Sequence, residues 1–355
     1  MAALTKRLAN NVVTVFNGTG FVAQNLLARL GRNGAQIVIG YRGSRYDDEK
    51  IRIVGGLGQV YYSKYHMKDD KSLYEAMKHS NIVINTTGKM NETRNFSWHD
   101  VHVDGPRRMA RIARECGVEK FVHISALNAN PNPTPHVLKN GSQFYKSKYY
   151  GELAVREEFP NAIIFRPSDI VGEKDDFINH FLAMSRTRYT YKLAIWDYYD
   201  GVTKVPVFVR DLCAGIENAL VDSSADGKTF QAVGPYRYDF CELLEYMRTC
   251  GGQSAKYDDC QITNLRYDIP MRLAHTILEK IQKYPLITWE RVERDCTTDY
   301  VDPKLPTLLD LGVELTPLEQ WIQVLGFYHP REHRFEIPYE SAIRLDLPKR
   351  LEAMA

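Results

Sequence analysis

The stretch that decides the fold is Val12-Val13-Thr14-Val15-Phe16-Asn17-Gly18-Thr19-Gly20-Phe21-Val22-Ala23. Five strand-favouring residues run into two closely spaced glycines. An apolar stripe at helical spacing follows at once, formed by Phe21, Leu26, Leu27 and Leu30, with Gly31 and Gly34 available to end the helix. Glycines in a strand-to-helix turn let the backbone approach a phosphate, whose charge sits well at the positive end of the helix dipole. A plain turn would carry the same short glycine run. What favours a phosphate loop is its place, one strand into the chain and opening an amphipathic helix.

Working outward, short apolar runs alternate with helical patterns through the first half of the chain. Strands are expected at Val12–Phe16, Gln36–Ile39, Gln59–Tyr62, Asn81–Asn85, Lys120–Ser125 and Ala162–Arg166. None has clean period-two alternation, as befits strands buried on both faces. Further on, Val205–Val209 and Thr229–Val233 read as strands around a helix over Asp211–Leu220. Residues from about 240 to 325 read as helical, interrupted by Pro270, Pro285, Pro303, Pro306 and Pro317. The expected fold class is α/β, a Rossmann-type doubly wound parallel sheet with a smaller, mainly helical C-terminal region. The expected division is 1–235 for the nucleotide-binding part, 236–328 for the helical part and 329–355 for an extended tail over the domain or a partner.

Composition narrows the function classes. The 355 residues are 44% hydrophobic and 25% charged, as in an ordinary globular protein. Lys and Arg (46) nearly balance Asp and Glu (44), so bulk charge does not point to a nucleic-acid partner. No apolar run reaches the roughly 18–20 residues of a spanning helix, which predicts a soluble chain that still has the option of resting on a membrane. The six cysteines are scattered without a C-x-x-C pair, which suits reduced thiols in an intracellular or matrix compartment and predicts no metal site. The eleven residues before the first strand are too short for a secretory signal, and a transit peptide, if one exists, lies mostly outside this numbering.

Two further segments bear on the ligand. Tyr41-Arg42 ends the second strand, 22 residues after Gly20. An acidic residue near that offset grips a ribose 2′-hydroxyl, whereas an Arg accommodates a 2′-phosphate. Arg42, with Arg45 nearby, therefore favours NADP(H). Asn85-Thr86-Thr87-Gly88 ends the fourth strand at the carboxyl edge, where open α/β sheets bind ligands, and either lines the cofactor or is only a glycine-assisted turn.

Together with His79–Asn85, Gly117–Ser125, Leu127–Asn130, Gly151-Glu152, Arg166–Gly172, Pro206–Asp211, Val233-Gly234-Pro235 with Arg237-Tyr238, Leu308–Gly312 and Thr316–Glu319, these residues resemble the atypical, extended branch of the short-chain dehydrogenase/reductase superfamily. Within it they are similar to the nucleotide-binding accessory subunits of mitochondrial respiratory complex I. The resemblance implies a structural NADP(H), other complex I subunits as partners, and a peripheral place on the matrix side of the mitochondrial inner membrane. It also implies a role in assembly or stability of the complex and contact with membrane lipid head groups. The implied cofactor-binding residues are Gly18, Thr19, Gly20, Phe21, Val22, Arg42, His66, Thr86, Thr87, Gly88, Ser125, Lys148 and Pro167.

Active members of the superfamily use a Tyr-x-x-x-Lys pair and a Ser, the Tyr moving a proton and the Lys lowering its pKa and holding the ribose. The Gly151-Glu152 register places the Lys at Lys148, and four residues earlier stands Phe144, which has no proton to give. The remnant is Ser125, Phe144 and Lys148, so the expectation is binding without turnover. Tyr145 is turned by about 100° from the Lys face of a helix. An active NADP-dependent reductase or epimerase using Tyr145, Lys148 and Ser125 is the alternative.

Two departures concern binding. The family loop reads Gly-x-x-Gly-x-x-Gly, and Asn17 and Ala23 stand at its first and third positions, with Gly18 a candidate to compensate. Where the family places an adenine-capping Asp, the chain reads Tyr65-His66-Met67-Lys68-Asp69, so that His66 replaces it or Asp69 serves from a shifted position. An empty scaffold is a third reading of these changes.

Other clusters have plainer readings. His99 and His102 lack further ligands nearby and read as surface or capping residues. Arg107, Arg108, Arg111 and Arg114 read as a solvated helix face, or else as contacts to acidic partners or lipid. Met271, Ala274, Leu278 and Ile281 recur at helical spacing beside Lys280 and Lys283, as core or as an interfacial helix.

Overall fold

The computed structural model describes residues 8–43, 54–56, 58–182, 192–250, 261–282, 285, 288–326 and 347–353. Strands β1 (Val12–Phe16), β2 (Gln36–Tyr41), β3 (Val60–Lys64), β4 (Ile82–Asn85), β5 (Lys120–Ile124) and β6 (Ile163–Pro167) form most of one sheet. The short β7 (Ile170–Val171), β8 (Lys192–Ile195), β9 (Thr203–Lys204) and β10 (Val207–Phe208) lie outside it, and β11 (Thr229–Ala232) completes it. The order is β11-β6-β5-β4-β1-β2-β3, with every pair parallel. The chain leaves β3 on one side of β1 and returns to β4 on the other, so the strand order reverses between β1 and β4. That is where a doubly wound sheet opens a crevice at its carboxyl ends.

Both faces of the sheet are covered. The helix Phe21–Arg32 buries Ala23, Leu26, Leu27 and Leu30 on one face against the helix Val209–Val221 and the sheet. On the other face the helices Asp70–Met77, Gly105–Glu115 and Gln143–Glu158 pack over Phe16, Val83 and Phe121. The expected strands all form within two residues of their ends. Val205–Val209 shrinks to β10, which among the described residues pairs with β7 and takes no part in the main sheet.

A second apolar core surrounds Phe177, Phe181, Tyr199, Tyr238 and Phe240. It draws on Val171 and residues 177–202 as well as 238–322. The stretch read as helical from 240 to 325 is interrupted by β13 (Gln261–Asn264), parallel to β8. β12 (Tyr236–Asp239) pairs with β9 and with β14 (Arg350–Ala353), the described end of the expected tail. The remainder of that tail up to residue 346, like Arg45 and Lys283, lies outside the described residues.

The helix Gln143–Glu158 is held hard against the segment Asp100–Asp104, which leads into the helix Gly105–Glu115. Gly151 makes this possible, because a Cβ there would lie 2.0 Å from the His102 carbonyl oxygen. Glu152, next in sequence, is buried and takes two hydrogen bonds from Arg166 on β6, at 2.9 and 2.6 Å. Gly151→Ala is expected to lower the unfolding free energy by about 1–3 kcal/mol, the usual cost of overpacking. Urea unfolding of the nucleotide-free chain reads it, and unchanged stability would contradict this packing.

Candidate functional site

A cleft opens at the carboxyl ends of β1, β4, β5 and β6, lined by Gly20, Phe21, Val22, Thr86, Thr87, Gly88, Ser125, Phe144, Lys148 and Pro167 among others. Nine of the thirteen expected cofactor residues therefore share one cavity. Gly18, Thr19, Arg42 and His66 do not line it. Gly18 and Thr19 lie in the loop between β1 and the helix Phe21–Arg32, and Arg42 stands beside that loop.

The loop answers the question posed by Asn17. That residue itself takes the left-handed backbone, at φ 61°, a conformation Asn tolerates better than most. Its side-chain amide donates to the Thr86 carbonyl at 3.3 Å, and its carbonyl accepts from Gly20 N–H at 2.9 Å. Gly18 does not compensate by a special φ. It is needed for space, since a Cβ would meet Ile39 Cγ2 at 2.3 Å. The helix Phe21–Arg32 starts at Gly20 with no side-chain cap and no acidic residue in its first turn. Its opening N–H groups thus meet no competing carboxylate, which suits an anion.

Arg42 lies at the end of β2 with its guanidinium 3.5 Å from Asn17 Oδ1 and 3.5 Å from Met67 Sδ. His66 is exposed, and its Nδ1 accepts from Lys68 N–H at 3.3 Å. Asp69, the other adenine candidate, caps the helix Asp70–Met77 by accepting from Lys71 N–H at 3.2 Å, so its carboxylate is already engaged.

At the other end of the cleft, Lys148 is buried and donates to the Ile124 carbonyl at 3.0 Å. Gly88 faces it closely enough that a Cβ there would sit 3.5 Å from Nζ. Burial pushes the Lys148 pKa down to about 8, partly offset by Glu152. Ser125 Oγ is buried without a hydrogen-bond partner among the described residues, and so is His123 Nε2. The Phe144 ring lies edge-on to Trp98, His102 and Tyr145 at 5.3–5.7 Å between centroids. Tyr145 also lines the cleft, but burial pushes its pKa up to about 12, and the charges acting on it are those of Lys204, Asp169, Asp299 and Arg294. A phenol held that way is a poor proton donor at neutral pH.

The remaining expectations settle into structural roles. His102 is buried, not a surface residue; it accepts from Lys89 N–H at Nε2, so its Nδ1 proton goes to Ser147 Oγ, 2.7 Å away. Burial holds its pKa well below the usual range. His99 pairs with Asp104. Arg107, Arg108, Arg111 and Arg114 pair with Glu157, Asp70 and Glu158 on a solvated face. Sequence reasoning missed the far wall of the cleft, where the helix Trp289–Asp295 supplies Arg291, Arg294 and Asp295. The sequence places this stretch only within a helical region, and the tertiary fold is what buries its charges.

The Lys148 shift gives a signed prediction. The folded pKa is about 8 and the ordinary value 10.5, so between them the unfolded chain binds more protons and stability rises with pH. Relative to Lys148→Met, the nucleotide-free wild type should gain up to about 3 kcal/mol across that window. A pH-independent difference in urea unfolding would contradict the burial of this ammonium.

Residues 13–232 match the NAD dependent epimerase/dehydratase family. Subunit 9 of the mitochondrial NADH dehydrogenase [ubiquinone] 1 alpha subcomplex from Mus musculus is 39% identical over 329 residues, covering 91% of this chain and 80% of the relative. The mitochondrial NADH-ubiquinone oxidoreductase 40 kDa subunit of Neurospora crassa is 30% identical over 312 residues, covering 86% and 76%. Among solved structures, MoeE5 in complex with UDP-glucose and NAD superposes with a TM-score of 0.63 at 13% identity, over 90% of this chain and 98% of that one, a likeness of fold alone. The chain thus belongs to the NAD dependent epimerase/dehydratase family and, within it, to the branch formed by these subunit 9 and 40 kDa relatives.

Proposed function

We propose that the chain is a non-catalytic accessory subunit of mitochondrial respiratory complex I, on the matrix side of the inner membrane, that holds NADP(H) as a structural group. The observation that carries this reading is the pairing of an intact cradle with a missing proton donor. Phe144 occupies the cleft position beside Lys148 where a phenol would be needed, while the binding side remains furnished.

The residues fit the nucleotide. The uncapped start of the helix Phe21–Arg32 would meet the pyrophosphate, and Arg42 the 2′-phosphate. The unsatisfied Ser125 hydroxyl and the Lys148 ammonium would meet the nicotinamide ribose. When bound, the nicotinamide could exchange a hydride, but position 144 offers no phenol to protonate a substrate oxygen. The names of the relatives support the assembly role, and several carry a mitochondrial designation.

The same reading places the helix Ile269–Ile281 on the membrane surface. Ile269, Leu273, Ile277 and Ile281 form an exposed ridge, 46–74% accessible, and Arg266, Arg272 and Lys280 flank it. An uncovered apolar ridge with basic neighbours suits an anionic lipid interface. The stripe legible in sequence was a different one. Of its members, Met271 turns towards the second core, while Leu278 and Ile281 remain exposed.

Three measurements follow. Arg42→Ala should weaken NADPH binding to the full chain roughly tenfold or more, the worth of a charged hydrogen bond, and leave NADH within about twofold; equal losses would remove Arg42 from the 2′-phosphate. The isolated chain should not oxidise NADPH with carbonyl substrates; oxidation abolished by Tyr145→Phe would establish the reductase instead. Vesicles containing anionic lipid should co-float with the chain, and Leu273→Glu with Ile277→Glu should abolish this; flotation of the double variant would contradict the helix assignment.

A further inference from the structure

On the Phe144 side of the cleft stands a guanidinium with no ion pair among the described residues. Arg294 lines the cavity and is 8% exposed. Its Cζ lies 4.7 Å from the Phe144 ring centroid, and its Nη1 points to Met90 Sδ at 2.8 Å, a weak acceptor. Its Nε and Nη2 are buried with no hydrogen-bond partner among the described residues. Those two nitrogens form the edge that grips two oxygens at once. Arg166 uses the same pair to hold Glu152.

A buried cation with its bidentate edge unused is costly, and although Asp295 and Glu290 are near enough to favour its charge, no acidic group among the described residues hydrogen-bonds that edge. Glu290 accepts from the Ser142 hydroxyl and from the Gln143 and Phe144 N–H groups. Glu293 accepts from the N–H groups of His136, Val137 and Leu138. Asp295 and Asp176 pair with Arg291. The ring at position 144 meanwhile neighbours two cations, Arg294 and Lys148, the latter 5.8 Å from its centroid. Loss of the phenol thus coincides with an aromatic platform for a cation.

We propose that Arg294 is the anchor of a second ligand site, separate from the nucleotide: it takes a small molecule ending in an oxyanion, a carboxylate or phosphate, gripped by Nε and Nη2. Met90 is 45% exposed, lines the same cavity and sits against Nη1. Its flexible thioether can shift as a ligand settles against the guanidinium, an adjustment this side chain makes readily. The site does not depend on whether the nucleotide is bound.

The test is thermal unfolding of the full chain titrated with inorganic phosphate and, separately, acetate, against chloride at equal ionic strength, with and without saturating NADPH. A saturable rise with at least one oxyanion is expected, present in both nucleotide states and weakened at least tenfold by Arg294→Gln. No rise beyond chloride, or an equal rise in Arg294→Gln, would overturn the proposal. So would a rise that NADPH abolishes, since that anion would sit at the glycine loop. Should Arg294→Gln not fold, Met90→Ala decides: freeing Nη1 should change oxyanion affinity at least threefold, and no change places the anion elsewhere. A chain that ignores NADPH altogether counts against the nucleotide reading only, because the Arg294→Gln comparison stands without it.

Discussion

A buried ammonium fixes the geometry on which the site depends. Lys148 enters the cleft from the helix Gln143–Glu158 and bonds the Ile124 carbonyl at the end of β5, facing Gly88 in the loop after β4. Removing a charge from water is costly, and the lowered pKa of Lys148 records that cost. It is met because the helix cannot drift: Gly151 lets it lie against the His102 carbonyl, and Glu152 is clasped by Arg166 on β6. Three strand ends and one helix are therefore registered around one nitrogen, and Phe144 and Ser125 take their positions from the same framework.

Much of this was legible in the sequence, and the reasons are local. The segment Val12–Phe16 followed by Asn17-Gly18-Thr19-Gly20 dictates strand, turn and helix by propensity and spacing, and β1 forms with those bounds. Lys148 and Phe144 could be found by counting back from Gly151-Glu152. What the sequence hid depends on tertiary packing. Nothing in Trp289–Asp295 distinguishes a solvated charged helix from one buried against a cleft, and Arg291, Arg294 and Asp295 were missed for that reason. β13 was lost inside a helical reading because its four residues gain a partner only from β8, far away in the chain. In Ile269–Ile281 apolar residues stand on more than one face, so spacing alone could not say which face is covered.

The site also explains how binding and chemistry become separable. The phosphate end rests on backbone N–H groups and on close approaches at Gly18 and Gly20, which a change at position 144 does not touch. The chemical end needs an ionisable phenol within reach of a cation. Here the ring at 144 is apolar, and burial pushes the pKa of the neighbouring Tyr145 up to about 12. Under the proposed function, the scaffold keeps its ligand as a structural brace without a reaction. The relatives that share this branch carry the names of subunits of a larger oxidoreductase, which accords with such a role.

The most direct measurement is mass identification of the nucleotide released when the chain is denatured from its purified complex, with the redox state of that nucleotide followed while the complex turns over. The account predicts a stoichiometric NADP(H) whose redox state does not change with turnover. Absence of nucleotide, NAD(H) in its place, or oxidation in step with turnover would contradict it.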